Sequence, residues 1–187
     1  MVISPDEFKK RWGEPLVEVN KNLISEVPLS EKDRSFLLNA GLPEAAAPFL
    51  SFNLFNKGLK HIYEIWGGPS DYSDEEKSQL KPYLVIGSDG AGSPIAIDTL
   101  NECQIVHLDH DDWFNTITFI NSSILQFAVF LLLTKEMIKK AHSELTENEL
   151  EEEIPHSYKN EVFDVMGKVD PSAMADGGFW KSEIGAL

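Results

Sequence analysis

The spacing of hydrophobic and polar positions predicts helices at the start of the chain. Ser4 precedes a proline and two acidic residues, which is the signature of a helix N-terminus, and this pattern ends at Gly13. Ser30 opens a second segment with apolar positions at helical spacing, and that segment ends at Gly41. This part of the chain therefore predicts two short helices.

The middle of the chain has the texture of β-structure. Short runs rich in β-branched and aromatic residues alternate with turn residues. Most connections between them are too short for a parallel crossover, so the pattern predicts a mostly antiparallel sheet. The six predicted strands are Phe49–Phe55, Leu59–Trp66, Tyr83–Ile86, Pro94–Thr99, Gln104–Leu108 and Phe114–Ile120.

Two longer segments frame the last strands. The polar segment Pro69–Gln79 is predicted to be a surface loop. Ser123 and Gln126 form a capping box that opens a long helix, whose broad apolar face through Ile138 makes it the best candidate to lie across the sheet. The acidic run 144–155 follows and is predicted to be a solvated connection.

The C-terminal part returns to helical patterns. Tyr158–Gly167 predicts another helix, Asp170-Pro171 restarts helical structure by cap and proline, and Phe179 and Trp180 offer an apolar docking face. Helices, then strands, then helices is the order of a segregated α+β domain. We therefore expect one domain over residues 1–187, with a six-stranded, mostly antiparallel sheet and helices packed at its N-terminal and C-terminal sides.

Charge and cysteine content limit the classes of function. The chain has 16 Lys and Arg against 31 Asp and Glu, which gives a net charge of -15. This field repels phosphates and no basic stripe interrupts it, so we expect no direct nucleic-acid binding. The most apolar stretch, Ile124–Leu133, is too short to span a membrane, and we expect no secretory signal. Because Cys103 stands alone and cannot form an internal disulfide, the cytoplasm is the expected compartment.

A glycine-rich loop at Gly87–Gly92 follows one of the predicted strands. A phosphate-binding loop needs a helix after it, whereas the next residues, Pro94–Asp98, alternate like a strand. We therefore predict a tight connection between antiparallel strands, with glycines at positive φ and with Asp89 bonded to nearby backbone amides. No cofactor is expected.

The densest set of candidate metal ligands is the segment 107–112. If it is extended, His107, Asp109 and Asp111 share one face and present an imidazole and two carboxylates to a cation. The spacing does not match a calcium loop, and three ligands from one strand cannot enclose an ion alone. We expect a polar strand end that runs into an acidic turn, with no tightly bound metal.

Nucleophilic catalysis finds little support in the sequence. Cys103 lies in a β-rich run where a thiol is expected to be buried, and the five histidines show no pairing with a nucleophile. We expect no enzyme activity. The four tryptophans are expected to close the rim of the core, whereas an exposed one would indicate an interaction hot spot. They are Trp12, Trp66, Trp113 and Trp180.

Four strings carry a family resemblance. They are the segments 36–43, 83–98 and 121–128, together with Asp170-Pro171 and Phe179-Trp180. In order and spacing they resemble the SUKH superfamily of Smi/Knr-like proteins, and most of all its bacterial immunity proteins, from about residue 30 to the end. Ala40-Gly41 follows Asn39 where the broader superfamily often has Asn-Gly, which favours the immunity subgroup.

The resemblance implies a function as well as a fold. It implies an α+β fold with a six-stranded, mostly antiparallel sheet, no catalytic motif, and a role as the cytoplasmic antidote to a polymorphic toxin. The partner would be a cognate toxin domain, with a basic nuclease as one expected class. The alternatives are an intracellular regulator or scaffold of the Smi/Knr type and, third, a metal-dependent hydrolase using His107, Asp109 and Asp111.

A basic toxin would be attracted by the acidic surface at long range, although the same charge could serve solubility alone. The acids expected to meet the partner lie in two exposed segments, since exposed loop acids bind without ordering a tail. They are Asp71, Asp74, Glu75 and Glu76 in the first segment, and Asp109, Asp111 and Asp112 in the second.

Overall fold

A computed structural model of the chain describes residues 3–25, 27–52, 59–146 and 153–187. The predicted caps are present: the Ser4, Ser30 and Ser123 side chains each accept a hydrogen bond from the backbone N–H three residues on. The described helices are α1 (Pro5–Trp12), α2 (Lys21–Ile24), α3 (Glu31–Asn39), α4 (Asp74–Leu80), α5 (Ile124–Glu144), α6 (His156–Val169) and α7 (Phe179–Gly185). Short 3-10 turns cover Ile62–Glu64, Pro69–Asp71 and Pro171–Met174.

The strands form an open, antiparallel main sheet and one separate two-stranded pair. They are β1 (Leu16–Val17), β2 (Leu42–Pro43), β3 (Ala45–Ala46), β4 (Leu50–Ser51), β5 (Lys60–His61), β6 (Tyr83–Ser88), β7 (Pro94–Asp98), β8 (Gln104–Leu108) and β9 (Ile117–Asn121). The main sheet has the order β3-β4-β6-β7-β8-β9, with β5 also paired to β6, while β1 and β2 pair separately. Each described pairing is antiparallel, so the predicted α+β class and mostly antiparallel sheet are confirmed.

The main sheet is covered on both faces. Along β7, Ile95 and Ile97 belong to the larger core with α1, α3, α5, α6 and α7, whereas Ala96 belongs to a smaller core on the other face. This is the period-two alternation of a strand. The smaller core is closed by the segment 59–80, from which Tyr72 and Leu80 reach the sheet. The sheet thus holds a thick helical layer on one side and a thin layer with α4 on the other.

The prediction of a surface loop at Pro69–Gln79 is wrong. That segment contains a 3-10 turn and then α4, because Ser73 and Glu76 form a capping box that starts a helix. Only Leu80 in α4 is buried, so the sequence shows no apolar stripe there. The predicted strand at 59–66 is also shorter than expected, since the chain turns at 62–64 after β5.

The remaining predicted strands are present in full or in part. The strands at 83–86, 94–99, 104–108 and 114–120 are confirmed as β6, β7, β8 and β9, with shifted ends. Of the prediction at 49–55, β4 is described, and residues 53–55 lie outside the described part of the chain. The same holds for residues 147–152 of the acidic run.

A buried polar network joins the C-terminal segment to the start of α5. The Asp170 carboxylate accepts hydrogen bonds from Asn121 Nδ2 at 3.0 Å, from Ser122 N at 2.8 Å and from Ser122 Oγ at 2.9 Å. Trp180 Nε1 donates to Asn121 Oδ1 at 2.9 Å. The predicted restart at Asp170-Pro171 is confirmed, since a 3-10 turn begins at Pro171 with Asp170 at its N-cap position. The Asp170 carboxylate makes no capping bond there, because these donors occupy it instead.

No helix in the described ranges combines the length and apolar character needed to cross a membrane.

Candidate functional site

An open groove lies between α4 and the connection from β8 to β9. Its volume is about 240 Å³. The residues of its walls come from two segments that are far apart in sequence, and most of them are aromatic or uncharged. They are Tyr72, Glu76, Gln79, Leu80, Tyr83, Trp113, Phe114, Asn115 and Ile117. We call this feature the aromatic groove.

The α4 wall is held by the capping box. Ser73 Oγ accepts from Glu76 N at 3.2 Å, while Glu76 Oε2 accepts from Ser73 N and from Ser73 Oγ at 2.7 Å each. These bonds, the one from the Ser73 side chain first, lower the pKa of the Glu76 carboxyl below its ordinary value. Glu76 is therefore a fixed negative charge on the wall at neutral pH.

The opposite wall is organised by Asp112. Its carboxylate accepts from Thr116 Oγ1 at 2.5 Å, from Thr116 N at 3.0 Å and from Asn115 N at 3.1 Å. The Thr116 side chain is the main reason that the pKa of Asp112 is lowered. Phe114 N also donates to Asp109 O at 2.7 Å. This connection is a closed turn rather than an extended continuation of β8.

Trp113 is the most conspicuous residue of that turn. Its side chain is 69% exposed. Trp113 and Phe114 have φ of 60° and 65°, a left-handed conformation that is uncommon for bulky residues. Phe114 is buried and its ring packs 6.2 Å from that of Trp66, so the backbone places one aromatic ring in the core and the other outside.

The tryptophan prediction is thus confirmed only in part. Trp180 is fully buried and Trp12 is 4% exposed, deeper than a rim position. Trp66 is partly buried, and its Nε1 donates to Gly92 O at 3.1 Å. Trp113 meets the condition for an interaction hot spot, since it is large, aromatic and open to a partner.

The two acidic segments adjoin the groove, but of their seven predicted carboxylates only Glu76 lines it. Glu76 lies in one wall, and Asp112 directly precedes Trp113 in the other. The remaining carboxylates of these segments are exposed, except that Asp109 is partly buried. Asp71 caps a turn by accepting from Gly68 N at 2.8 Å, and Asp109 accepts from Asp111 N at 2.9 Å.

Sequence reasoning did not find the whole groove. Tyr72, Tyr83 and Ile117 line it, and Ile117 is 44% exposed although it belongs to β9. A signal was available in the Ser73 to Glu76 spacing, which predicts α4 and so a second wall.

Comparison with known proteins identifies the family. The model of the SUKH-4 immunity proteins matches residues 3–185, which is nearly the whole chain. The chain belongs to the SUKH-4 immunity protein family. Membership implies toxin immunity, and the family is generally non-enzymatic. No curated protein and no solved structure matches the chain.

Two of the four strings that resemble the family meet in the structure of this SUKH-4 protein. Asn121 and Ser122 contact Asp170, and Trp180 contacts Asn121, in the buried network described above. The segment 83–98 is the β6–β7 hairpin, in which Gly92 has φ +98° and Asp89 Oδ1 accepts from Ala91 N and Ser93 N. The predicted tight connection is confirmed.

The candidate metal ligands of the SUKH-4 chain lie in two separate places. His107 Nε2 lies 2.9 Å from Asp89 Oδ2, away from the set formed by Asp109, His110 and Asp111, whose ligand atoms lie within 4.8 Å of one another. The expected strand end that runs into an acidic turn is confirmed, since β8 ends at Leu108 and the chain then turns, so His107, Asp109 and Asp111 do not share the face of one extended strand. Low metal affinity stays a prediction. Cys103 is buried as predicted, and burial raises the pKa of its thiol.

Proposed function

We propose that this SUKH-4 protein neutralises a basic toxin domain by binding it through the aromatic groove and the acids around it, without catalysing a reaction. The observation that carries the proposal is Trp113, which is 69% exposed, directly follows Asp112 and lines the same groove as Glu76. Tryptophan is enriched among the residues that dominate binding energy. Such residues lie near the centre of an interface and are surrounded by a polar rim. The groove supplies the apolar centre and the carboxylates supply the rim.

Charge explains how the partner would arrive. The net charge of -15 attracts a positively charged domain at long range and accelerates its association. Asp74, Glu75 and Asp111 are exposed and lie in the two acidic segments. These acids test the steering, because they can be neutralised without removing the backbone capping bonds that Glu76 and Asp112 make.

The toxin is first identified by co-purification with this chain from the native host. The purified toxin domain is then mixed with the purified protein in a stopped-flow instrument. The variant Asp74→Asn/Glu75→Gln/Asp111→Asn should slow association by more than about twofold at low salt, with a smaller effect on dissociation and on rates at high salt. A matched triple neutralisation remote from the groove, Glu14→Gln/Glu161→Gln/Asp176→Asn, removes the same charge.

The outcomes separate local steering from net charge. Equal slowing by the two triple variants would show that location is irrelevant and would overturn the proposed surface. For the aromatic centre, Trp113→Ala should accelerate dissociation, whereas Leu100→Ala, which truncates a 76% exposed side chain outside the groove, should not. A toxin complex that is insensitive to Trp113→Ala would contradict the proposal.

A further inference from the structure

We propose that the aromatic groove receives the guanidinium group of one arginine side chain from the partner. The inference rests on the proposed function, since it names the chemistry that the same surface would recognise. It goes beyond charge steering because it assigns one residue type to one pocket.

The walls favour a flat cation. Four aromatic side chains line the groove, namely Tyr72, Tyr83, Trp113 and Phe114. Aromatic faces attract cations, most strongly at tryptophan, and arginine combines that attraction with planar stacking, which lysine cannot do. None of the groove-lining residues in the described structure is basic, so no internal cation already fills this role.

A carboxylate is in place to accept the guanidinium N–H groups. Glu76 is the charged residue of the walls. Both of its capping bonds described above use Oε2, which leaves Oε1 able to accept from a partner. Aromatic faces with a carboxylate at the edge complement an arginine in both charge and shape.

The size and stiffness of the groove select a single side chain. A volume of about 240 Å³ is below that of pockets for drug-sized molecules and is of the size of one side chain. The walls are fixed from behind: Tyr72 Oη donates to Trp66 O at 2.7 Å, and Phe114 packs on Trp66. A preformed pocket loses little entropy when it is filled.

The experiment titrates the isotope-labelled protein with N-acetyl-arginine amide and follows the tryptophan indole N–H signals by NMR. The neutral isostere N-acetyl-citrulline amide and the lysine amide are the comparison ligands. The Trp66 and Trp180 indole groups donate to protein acceptors, and Trp113→Ala identifies the signal of Trp113 by its loss. We expect the Trp113 signal to move at least about threefold more with the arginine amide than with either comparison ligand.

Glu76→Gln supplies the decisive variant, because glutamine at this position still permits the capping box and so keeps α4. It should remove most of the preference for arginine over citrulline, while Leu100→Ala should leave it intact. Equal shifts with arginine and citrulline, or with arginine and lysine, would overturn the assignment. If the toxin complex needs Trp113 but the arginine preference is absent, the inference fails and the proposed function stands; a toxin complex indifferent to Trp113 overturns both.

Discussion

Removal of the Asp170 carboxylate should lower the free energy of unfolding more than a substitution on the surface does. Asp170 is 1% exposed and accepts three hydrogen bonds that tie the C-terminal segment to β9 and to the start of α5. In Asp170→Ala, the Asn121 side chain, which is fully buried, loses the acceptor for its Nδ2, and Ser122 N loses its acceptor too. Asn121 Nδ2 would remain unsatisfied, whereas the part-buried Ser122 N would need water as its acceptor.

The magnitude follows from those two donors. An unsatisfied buried donor costs about 1–3 kcal/mol, so Asp170→Ala should lower the free energy of unfolding by about 3–4 kcal/mol. Ser122 Oγ adds less, because it is only partly buried and can turn to water. Asp170→Asn keeps one acceptor oxygen and should cost about 1 kcal/mol, since neutral hydrogen bonds replace charge-assisted ones.

Chemical denaturation monitored by tryptophan fluorescence measures these values, and a thermal scan should show a Tm loss of about 6–16 °C for the alanine variant. Asp176→Asn is the control, because Asp176 is exposed and pairs with Lys181 at the surface, so its Tm should not change measurably. Asn121→Ala should cost less in the Asp170→Ala background than alone, because the orphaned donor is gone. Equal stability of Asp170→Ala and Asp170→Asn would refute the reasoning.

Three further outcomes are expected. Gly92→Val should lose at least about 1 kcal/mol in denaturant titration, because φ of +98° strains a side chain even though open space surrounds the position. Burial, followed by the charge of Asp89, raises the pKa of Glu183 in the folded protein, so the protein loses stability as pH rises through that pKa. Glu183→Gln should therefore raise Tm at neutral pH. It should leave Tm unchanged at about pH 3, where Glu183 is protonated in the folded and in the unfolded protein. Elemental analysis should find less than one metal ion per chain; one equivalent lost in His107→Ala and Asp109→Ala would contradict this.

Local sequence signals predicted the parts of the fold that are governed by local physics. Ser4, Ser30 and Ser123 cap helices because a hydroxyl satisfies a nearby backbone N–H wherever the helix packs. The β6–β7 hairpin follows from Gly92 and from the alternation of apolar residues on either side. These elements can be predicted without reference to the rest of the chain.

The aromatic groove depends on contacts between distant segments, and the sequence could not supply it. Tyr72 and Leu80 are buried because the opposite sheet face presents a small core to them, which is a tertiary property. The role of Asp170 was missed for the same reason: its partners Asn121 and Ser122 lie 49 and 48 residues away, so a local capping rule was applied to a long-range network.

The backbone at Trp113 bears on the proposed role of this groove. Two consecutive non-glycine residues in the left-handed region cost free energy, and such strain persists only where the surroundings impose it. Phe114 offsets part of the cost through its burial against Trp66, but Trp113 leaves 69% of its side chain in water and gains little from folding. The exposed ring of Trp113 is therefore the part of this turn that the proposed toxin partner would cover. The same turn is closed by Asp112, so the carboxylate that shapes the turn also adds negative charge next to the ring.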